Sequence, residues 1–485
     1  MKLSEILRGV DVAEWHAAPE TECGGIAYDS RKVRPGDLFV AVKGYEADGH
    51  RFIARALAQG AAAVLCQERP EEELPYVRTA DSRLAMALAA CNFYGRPAES
   101  MQVVGITGTN GKTTTAFLVK QLLEKVTGEK VGLVGSVVNM IGGRELPSEH
   151  TTPESCDLQA LFREMVQEGC RYCVMEVSSH SLELRRVAGT EFAVGAFTNL
   201  TEDHLDFHRT MENYAAAKAK LFPFCRAACA NADDPWEPAV LQGASCPVLT
   251  FSARGGPAGL CAEEIRLAPE GASFLVREGK ECCRADTCLP GLFSVYNALS
   301  ALACCRLLGL PLRACAAELP ECRGARGRVE PVPTDGDYSI FIDYAVTPDA
   351  VENVLRTLRQ IAPARLVMLF GCGGDRDRQK RPVMGEIAAE LADFVIVTSD
   401  NPRTERPEDI IEEILPGVKR GGAPYVVIPD RREAVCWAID HHQEKDLILL
   451  CGKGHEDYQI IGHTKIHMDE REIVAEHLKE RAART

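Results

Sequence analysis

The stretch Val103-Val104-Gly105-Ile106-Thr107-Gly108-Thr109-Asn110-Gly111-Lys112-Thr113-Thr114-Thr115 decides how the rest of the chain is read. A β-branched run enters a glycine-rich turn, and the turn opens into a helix-capable segment, Ala116 to Leu123. A strand, loop and helix of this kind make a phosphate cradle. Backbone N–H groups close around phosphate oxygens, the helix N-terminus adds partial positive charge, Lys112 reaches the β/γ-phosphates and Thr113 can ligate Mg²⁺. The expected ligand is a nucleoside triphosphate. The generic pattern wants a glycine where Ile106 stands, and the nearest candidate, Gly105, is one position early. A ligand-free turn is the alternative, but Gly-Lys-Thr at a strand-to-helix junction costs backbone entropy if nothing binds there.

At 485 residues the chain is too long for one core, and about two to four domains are expected. Hydrophobic residues (46%) and charged residues (26%) have the balance of a soluble enzyme. The 70 acidic and 55 basic residues give a net charge of −15, which argues against coating nucleic acid or adhering to anionic membranes. Glu5, Arg8, Asp11 and Glu14 interrupt the N-terminal stretch, so no signal peptide is readable, and no run of about 18 apolar residues could span a bilayer. A cytoplasmic protein is expected, and its 20 cysteines then read as reduced thiols. Cys170 and Cys173 have the spacing of half a zinc site, but no second such pair accompanies them.

Residues 1–98 form a first unit of short alternating strands and helices. Ser30 and the turn Gly44-Tyr45-Glu46-Ala47 lie on loops beside strands, where either a ligand or plain turn chemistry accounts for them. A second unit, 99–330, carries the phosphate loop. Its strand Tyr172–Val177 ends in Ser178-Ser179-His180, and Val194–Phe197 ends in Thr198-Asn199-Leu200-Thr201 and Asp203-His204. Polar strand ends in one parallel sheet share a rim, which makes Glu176 and His204 candidate Mg²⁺ ligands. Lys218, on composition alone, reads as a solvated helix lysine.

The third unit, 331–485, alternates strand-like runs at Ser339–Ile342, Leu366–Phe370, Phe394–Thr398, Tyr425–Ile428 and Leu447–Leu450 with helical segments. Such alternation predicts a mostly parallel sheet covered on both faces. Four strands run into polar loops that parallel order places on one edge: Asp343-Tyr344, Gly371 to Arg376, Asp400-Asn401-Pro402-Arg403, and Gly452 to Glu456. Arg376 and Arg403 there are candidates for forked pairing with a substrate carboxylate.

Together these segments resemble the Mur ligases over nearly the whole chain. The marks are Asp29-Ser30-Arg31, Gly108-Thr109-Asn110-Gly111-Lys112-Thr113-Thr114, Thr151-Thr152-Pro153, Glu176-Val177-Ser178-Ser179-His180 and Asp203-His204-Leu205-Asp206. They continue with Ala217-Lys218, Gly327-Arg328-Val329-Glu330, Asp343-Tyr344-Ala345, Gly373-Gly374-Asp375-Arg376-Asp377, Asp400-Asn401-Pro402-Arg403 and Gly452-Lys453-Gly454-His455-Glu456. The family displaces the first loop glycine in the same way. The resemblance implies an α/β protein of three domains: a small N-terminal domain for a UDP-linked substrate, a central parallel-sheet ATPase domain, and a C-terminal Rossmann-like domain for the amino acid.

It also implies roles. Ser30, Tyr45, Glu46, Ala47, Thr151, Thr152, Ser178 and Arg186 meet UDP-N-acetylmuramoyl-L-alanyl-D-glutamate. Gly108 to Thr114, Asn199, Asn297, Arg328 and Asp343 meet ATP. Thr113, Glu176, His204 and a carbamylated Lys218, its carbamate derived from CO₂, seat Mg²⁺, so that Lys112, Lys218, Glu176 and His204 form the catalytic set. This replaces the solvated reading of Lys218. The implied reaction phosphorylates a substrate carboxylate and lets an amine attack the acyl phosphate, with water excluded by domain closure. Members with Asp-Asn-Pro-Arg at 400–403 use meso-diaminopimelate, so Arg376, Asp400, Asn401, Pro402, Arg403, Gly452 and Glu456 are expected to hold that amino acid, Arg403 pairing its distal carboxylate. A monomer is expected.

Two departures stand out. The family usually reads Asp-Tyr-Ala-His-Thr-Pro-Asp, whereas Val346 follows Asp343-Tyr344-Ala345 here, and Leu184 replaces a polar residue found in some members. Rival readings are the lysine-adding ligase, a folylpolyglutamate-synthase-like ligase, which should lack the first domain, a nucleotide switch, and a binding protein without turnover.

Overall fold

Five strands with aliphatic side chains on both faces, Ser339–Asp343, Leu447–Cys451, Leu366–Phe370, Phe394–Val397 and Tyr425–Val427, lie parallel in that order. Glu330–Val332, which contains Pro331, joins antiparallel at the edge next to Ser339–Asp343, where a missing N–H is tolerated. Every residue of Leu366–Phe370 and Leu447–Cys451 is buried, as a sheet covered by helices on both sides requires. One face packs Leu355, Met384 and Ile414, and the other packs Val435, Ile439 and Ile473.

The helices of this region begin and end where local chemistry dictates. Pro348–Arg359 starts with Thr347 capping Ala350 N–H (3.4 Å), has Pro348 at its first position, and buries Val351, Val354, Leu355 and Leu358 along one stripe. Helices Lys380–Leu391 and Pro407–Gly421 touch backbone to backbone, because a side chain at Gly417 would collide with the Pro382 carbonyl. Arg431, fully buried, donates to the carbonyls of Ser399 (3.2 Å) and Cys451 (2.9 Å), just past one strand and at the end of another. Its Nε donates to Glu470 Oε1 (2.9 Å) at the start of the final helix, Glu470–Arg484.

The computed structural model describes residues 1–44, 47–70 and 73–484. The region above belongs to a unit of residues 261–298 and 316–485; residues 1–260 and 299–315 form another. In the latter, a five-stranded sheet has the order Val12–Trp15, Tyr76–Thr79, Ala63–Cys66, Asp37–Val40, Gly25–Ala27, parallel except for its first strand. A second sheet there carries six parallel strands in the order Val248–Ser252, Ala228–Asn231, Val194–Phe197, Gln102–Thr107, Tyr172–Glu176, Val131–Val134. The strand of the phosphate loop is thus central, flanked by the two strands whose ends carry Thr198 and Glu176. Cys156, from helix Ser155–Gln167, is buried in the core of the first sheet and ties the two layers together.

The cysteines are free thiols, and burial pushes most of the buried ones upward, Cys66 and Cys91 to about 11. Among the described residues no helix is long and apolar enough to cross a membrane.

Candidate active site

Gly111 sits in the left-handed region (φ +84°) at the N-cap of helix Lys112–Thr127, so the helix begins ahead of the expected Ala116 and Lys112 to Thr114 form its first turn. A side chain at Gly108 would collide with the Thr198 hydroxyl, so the loop rests directly on the end of the neighbouring strand. Thr109 N–H donates to the Asn199 carbonyl (2.8 Å), Asn110 N–H to Asn199 Oδ1 (2.9 Å), and Thr198 Oγ1 to the Asn110 carbonyl (2.7 Å). Lys112 Nζ donates to the carbonyls of Gly108 and Thr109, both at 2.8 Å.

Lys218 is 1% exposed and also donates to the Gly108 carbonyl (2.8 Å), with the Tyr214 ring centre 4.3 Å away. Burial, and then the charge of Lys112, hold its amine well below the ordinary lysine range. Glu176, 1% exposed, accepts from the Thr113 hydroxyl (2.9 Å), Ser136 N–H (2.9 Å) and Ser136 Oγ (3.1 Å). His204 adopts φ +53° and meets His180 edge to face at 4.8 Å. Although 47% of its side chain is exposed, desolvation lowers its pKa, helped by Lys112 and Lys218 and opposed by Asp203.

In the same unit a cavity of about 490 Å³ is lined by Tyr28, Ser30, Arg31, Ala47, Arg83 and Glu154, among others. Tyr45 and Glu46 lie outside the described residues. Glu154 joins this cavity to the predicted muramoyl-side residues: Oε2 accepts from Arg83 Nη1 (3.4 Å) and Oε1 from Arg186 Nε (2.9 Å). Arg186 Nη1 donates to the Thr152 carbonyl (3.0 Å), and Thr152 Oγ1 accepts from Ser178 N–H (3.2 Å) and donates to the Glu176 carbonyl (2.8 Å). Thr151 is half-buried beside them, and Ser178 Oγ caps helix Ser179–Glu183 at Ser181 N–H (3.1 Å).

The other unit places the polar loops on one sheet edge. Arg403 has φ +50°; its N–H donates to the Ile460 carbonyl (3.0 Å), its own carbonyl accepts from Gly462 N–H (2.7 Å), and Nη1 donates to the Gly374 carbonyl (2.8 Å). A Cβ built on Gly373 would lie 2.9 Å from Arg403 Nη1 and 3.7 Å from Arg376 Cγ, so the two arginines flank that glycine. Arg376 is exposed and donates to the neighbouring Asp375 carbonyl (3.3 Å). Asn401 Nδ2 donates to Glu456 Oε2 (2.9 Å), and Pro402 is buried against Gly374. Gly452 (φ +114°) passes so near Asp400 that a Cβ would lie 2.6 Å from Oδ2. Below the loops, Arg381 is fully buried and pairs with Glu405 and Glu413 (2.8 Å each) while reaching the Gly373 carbonyl (3.2 Å).

Three predicted nucleotide residues are also in this unit. Asp343 accepts from Val329 N–H (2.8 Å) and Ala345 N–H (2.9 Å); both oxygens are engaged by backbone, and burial raises its pKa. Arg328 stacks toward Tyr344, 5.4 Å from the ring centre, and Asn297 is buried in helix Leu292–Leu307. Val346 offers its carbonyl to Lys380 Nζ (2.7 Å).

Family comparisons match three segments: 22–94 to "Mur ligase family, catalytic domain", 106–305 to "Mur ligase middle domain" and 327–454 to "Mur ligase, glutamate ligase domain". The chain belongs to the Mur ligase family. A relative from Caldanaerobacter subterraneus subsp. tengcongensis, named UDP-N-acetylmuramoyl-L-alanyl-D-glutamate–2,6-diaminopimelate ligase, is 47% identical over 99% of both chains. One of the same name from Clostridium botulinum is 43% identical over 99% of this chain and 100% of that one. A solved structure of that name superimposes with a TM-score of 0.74 at 32% identity, covering 99% of each chain. Thermotoga maritima MurF in complex with ADP shares the fold, with a TM-score of 0.61 at 20% identity over 96% of this chain and 99% of that one.

In this Mur ligase the fold joins Thr113 to Glu176, Lys112 to Lys218 through one carbonyl, and Asn401 to Glu456. Among the described residues, the only cluster of histidine and acidic groups at metal-ligand spacing is Asp48, His50 and Glu68. His50 has both ring nitrogens in use there, Nδ1 on Asp48 (2.7 Å) and Nε2 on Gln67 N–H (3.0 Å), which is loop-capping chemistry. Three residues escaped the motif reading, Ser136, Arg83 and Glu154, and Lys453 was inside a quoted motif but had no role. Only Lys453 carried a signal, its place between Gly452 and Gly454 in a loop already singled out.

Proposed function

We propose that this ligase uses ATP to join meso-diaminopimelate to UDP-N-acetylmuramoyl-L-alanyl-D-glutamate through an acyl phosphate, the MurE-type step of peptidoglycan precursor synthesis. The observation that carries the choice of amino acid is the sheet edge where Arg403 stands beside the Asn401–Glu456 pair, a cationic fork next to an anionic acceptor. Diaminopimelate differs from lysine by one distal carboxylate, the group that a guanidinium pairs best. In this reading residues 1–98 hold the UDP end in the cavity at Ser30, residues 99–330 hold ATP, and residues 331–485 hold the amino acid.

Each residue then has a task. The N–H groups of the loop 108–112 receive phosphate oxygens, and Lys112 offsets the repulsion between ATP and the substrate carboxylate as the γ-phosphoryl group moves. Thr113 and Glu176, buried oxygen donors already within hydrogen-bond distance of each other, suit a hard cation, with His204 and carbamylated Lys218 as further candidates. Bound there, Mg²⁺ supplies charge neutralisation to the phosphates. A neutral amine is the form that adds CO₂, and the burial of Lys218 favours that form. Arg186, fixed by Glu154, orients the muramoyl dipeptide. Arg403 and Glu456 orient the diamino acid so that its free amine attacks the acyl phosphate.

The test is ADP release by the purified enzyme with ATP, Mg²⁺ and the UDP-dipeptide, with meso-diaminopimelate, L-lysine or no amino acid, and with product mass checked. Release and a tripeptide product with diaminopimelate alone support the proposal. Preference for lysine removes the Arg403 assignment, and no release with either removes the ligase reading.

A further inference from the structure

Lys453 takes no part in the reaction as assigned above, yet it stands at the centre of the amino-acid edge. It is fully buried, an environment that an ammonium occupies only with partners. Gly452 (φ +114°) and Gly454 (φ +52°) flank it, and a Cβ on Gly454 would lie 2.5 Å from Tyr344 Cβ, so the main chain is pressed inward on either side of the lysine. Its partners are three residues of the predicted diaminopimelate set. Nζ donates to Asn401 Oδ1 and Glu456 Oε2, 2.8 Å each, and lies 3.8 Å from Asp400 Oδ1.

Asn401 closes the ring through its bond to Glu456 Oε2, while Ile460 N–H holds Asn401 Oδ1 (2.9 Å). Glu456 Oε2 therefore takes two donors, whereas Oε1 receives the Tyr458 hydroxyl at 3.4 Å. One ammonium faces two carboxylates, Asp400 and Glu456. Asp400 also lies in the field of the buried Arg431, which leaves Glu456 as the carboxylate for a ligand, and its Oε1 is the oxygen with acceptor capacity to spare.

We propose that Lys453 is a positioning residue for amino-acid selection: it locks Glu456 and Asn401 so that Glu456 Oε1 receives an ammonium group of the incoming diamino acid while Arg403 pairs a carboxylate. The inference rests on the diaminopimelate reading. Without Lys453 the Glu456 side chain keeps only Asn401 Nδ2 on Oε2 and the long Tyr458 hydroxyl contact on Oε1, and loses the ammonium that fixes its orientation toward the substrate. An amino acid would then still react once bound, but would be held poorly.

The experiment compares full-length wild type with Lys453→Met, measuring KM separately for diaminopimelate, ATP and the UDP-dipeptide. The KM for diaminopimelate should rise about tenfold or more, the others staying within about twofold, because truncating one partner of a buried charge pair acts where that pair meets ligand. In the double variant with Glu456→Gln, the KM for diaminopimelate should equal that of Glu456→Gln alone, the sign of two residues acting as one. Lys453→Gln, which keeps a donor for Glu456, answers by the same split if the Met variant does not fold. A parallel rise in all three KM values, a lower Tm with unchanged KM values, or multiplied effects in the double variant overturns the proposal. A wild type that uses lysine instead refutes the substrate reading, and the split is then sought with lysine. A wild type that uses diaminopimelate with an unsplit variant refutes only the role of Lys453.

Discussion

Replacing Arg403 by alanine separates recognition of the distal carboxylate from everything else the enzyme does. The residue is held at three points: its N–H on Ile460, its carbonyl on Gly462 and Nη1 on Gly374. The side chain is therefore presented without a large ordering cost, and the guanidinium keeps donors beyond the one spent on Gly374. Charge-assisted bonds contribute about 1.5–3 kcal/mol each. Arg403 is only half-buried, so two such bonds to a carboxylate are worth roughly 2–4 kcal/mol after solvent screening, a loss of about 30- to 700-fold in kcat/KM for diaminopimelate. L-Lysine has no distal carboxylate, so its kcat/KM should hold steady, and KM for ATP should not move. Arg403→Lys, which keeps the charge and loses the fork, should fall between. The assay is coupled ADP release with both amino acids at several concentrations. An equal loss for lysine and diaminopimelate, or a parallel rise in KM for ATP, would refute the carboxylate clamp.

Lys112→Ala should reduce ligation by about a thousandfold or more through loss of charge stabilisation on the moving phosphoryl group, while calorimetry with the UDP-dipeptide alone should show nearly unchanged affinity. Glu154→Gln removes the anion shared by Arg83 and Arg186 and should raise KM for the UDP-dipeptide about tenfold, with KM for diaminopimelate as the control that stays put. Acid should weaken the unit that holds the amino-acid edge. Arg381 depresses Glu405 to about 2, and Arg378 first and Arg381 after it lower Glu413, so their contribution is full above the unfolded carboxylate range and disappears as pH falls through the folded value. Thermal melts between pH 6 and about 2 should show this drop in wild type and a flatter profile in Arg381→Met; parallel profiles would remove Arg381 from the account.

The parallel sheet around Leu366–Phe370 was readable because strands buried on both faces spell unbroken aliphatic runs, and their boundaries fell within a residue of the observed ones. The phosphate loop was readable because glycine and lysine at a strand end have few other uses. Lys218 was not readable from composition: Ala215-Ala216-Ala217-Lys218-Ala219-Lys220 gives little amphipathic contrast, and only the fold reveals that Lys218 faces the Gly108 carbonyl. Glu154 and Ser136 were invisible for a related reason. Their partners, Arg83 and Glu176, are far away in the chain, and a lone glutamate or serine in a turn carries no pattern. The backbone engagement of both Asp343 oxygens was equally beyond reach, since its donors, Val329 and Ala345, contribute only their N–H groups.

Arg431 gives the end of the chain an unexpected standing. Its guanidinium is the peg between Ser399, Cys451 and Glu470, so the helix Glu470–Arg484 supplies the counter-charge beneath the two loops proposed to receive the amino acid. A chain shortened ahead of Glu470 takes from that buried cation its one hydrogen-bonded carboxylate and leaves only the field of Asp400 to balance it. Fusion partners and affinity handles are accordingly better carried at the N-terminus, and a reporter dye on the final helix becomes a remote gauge of how firmly the amino-acid loops are seated.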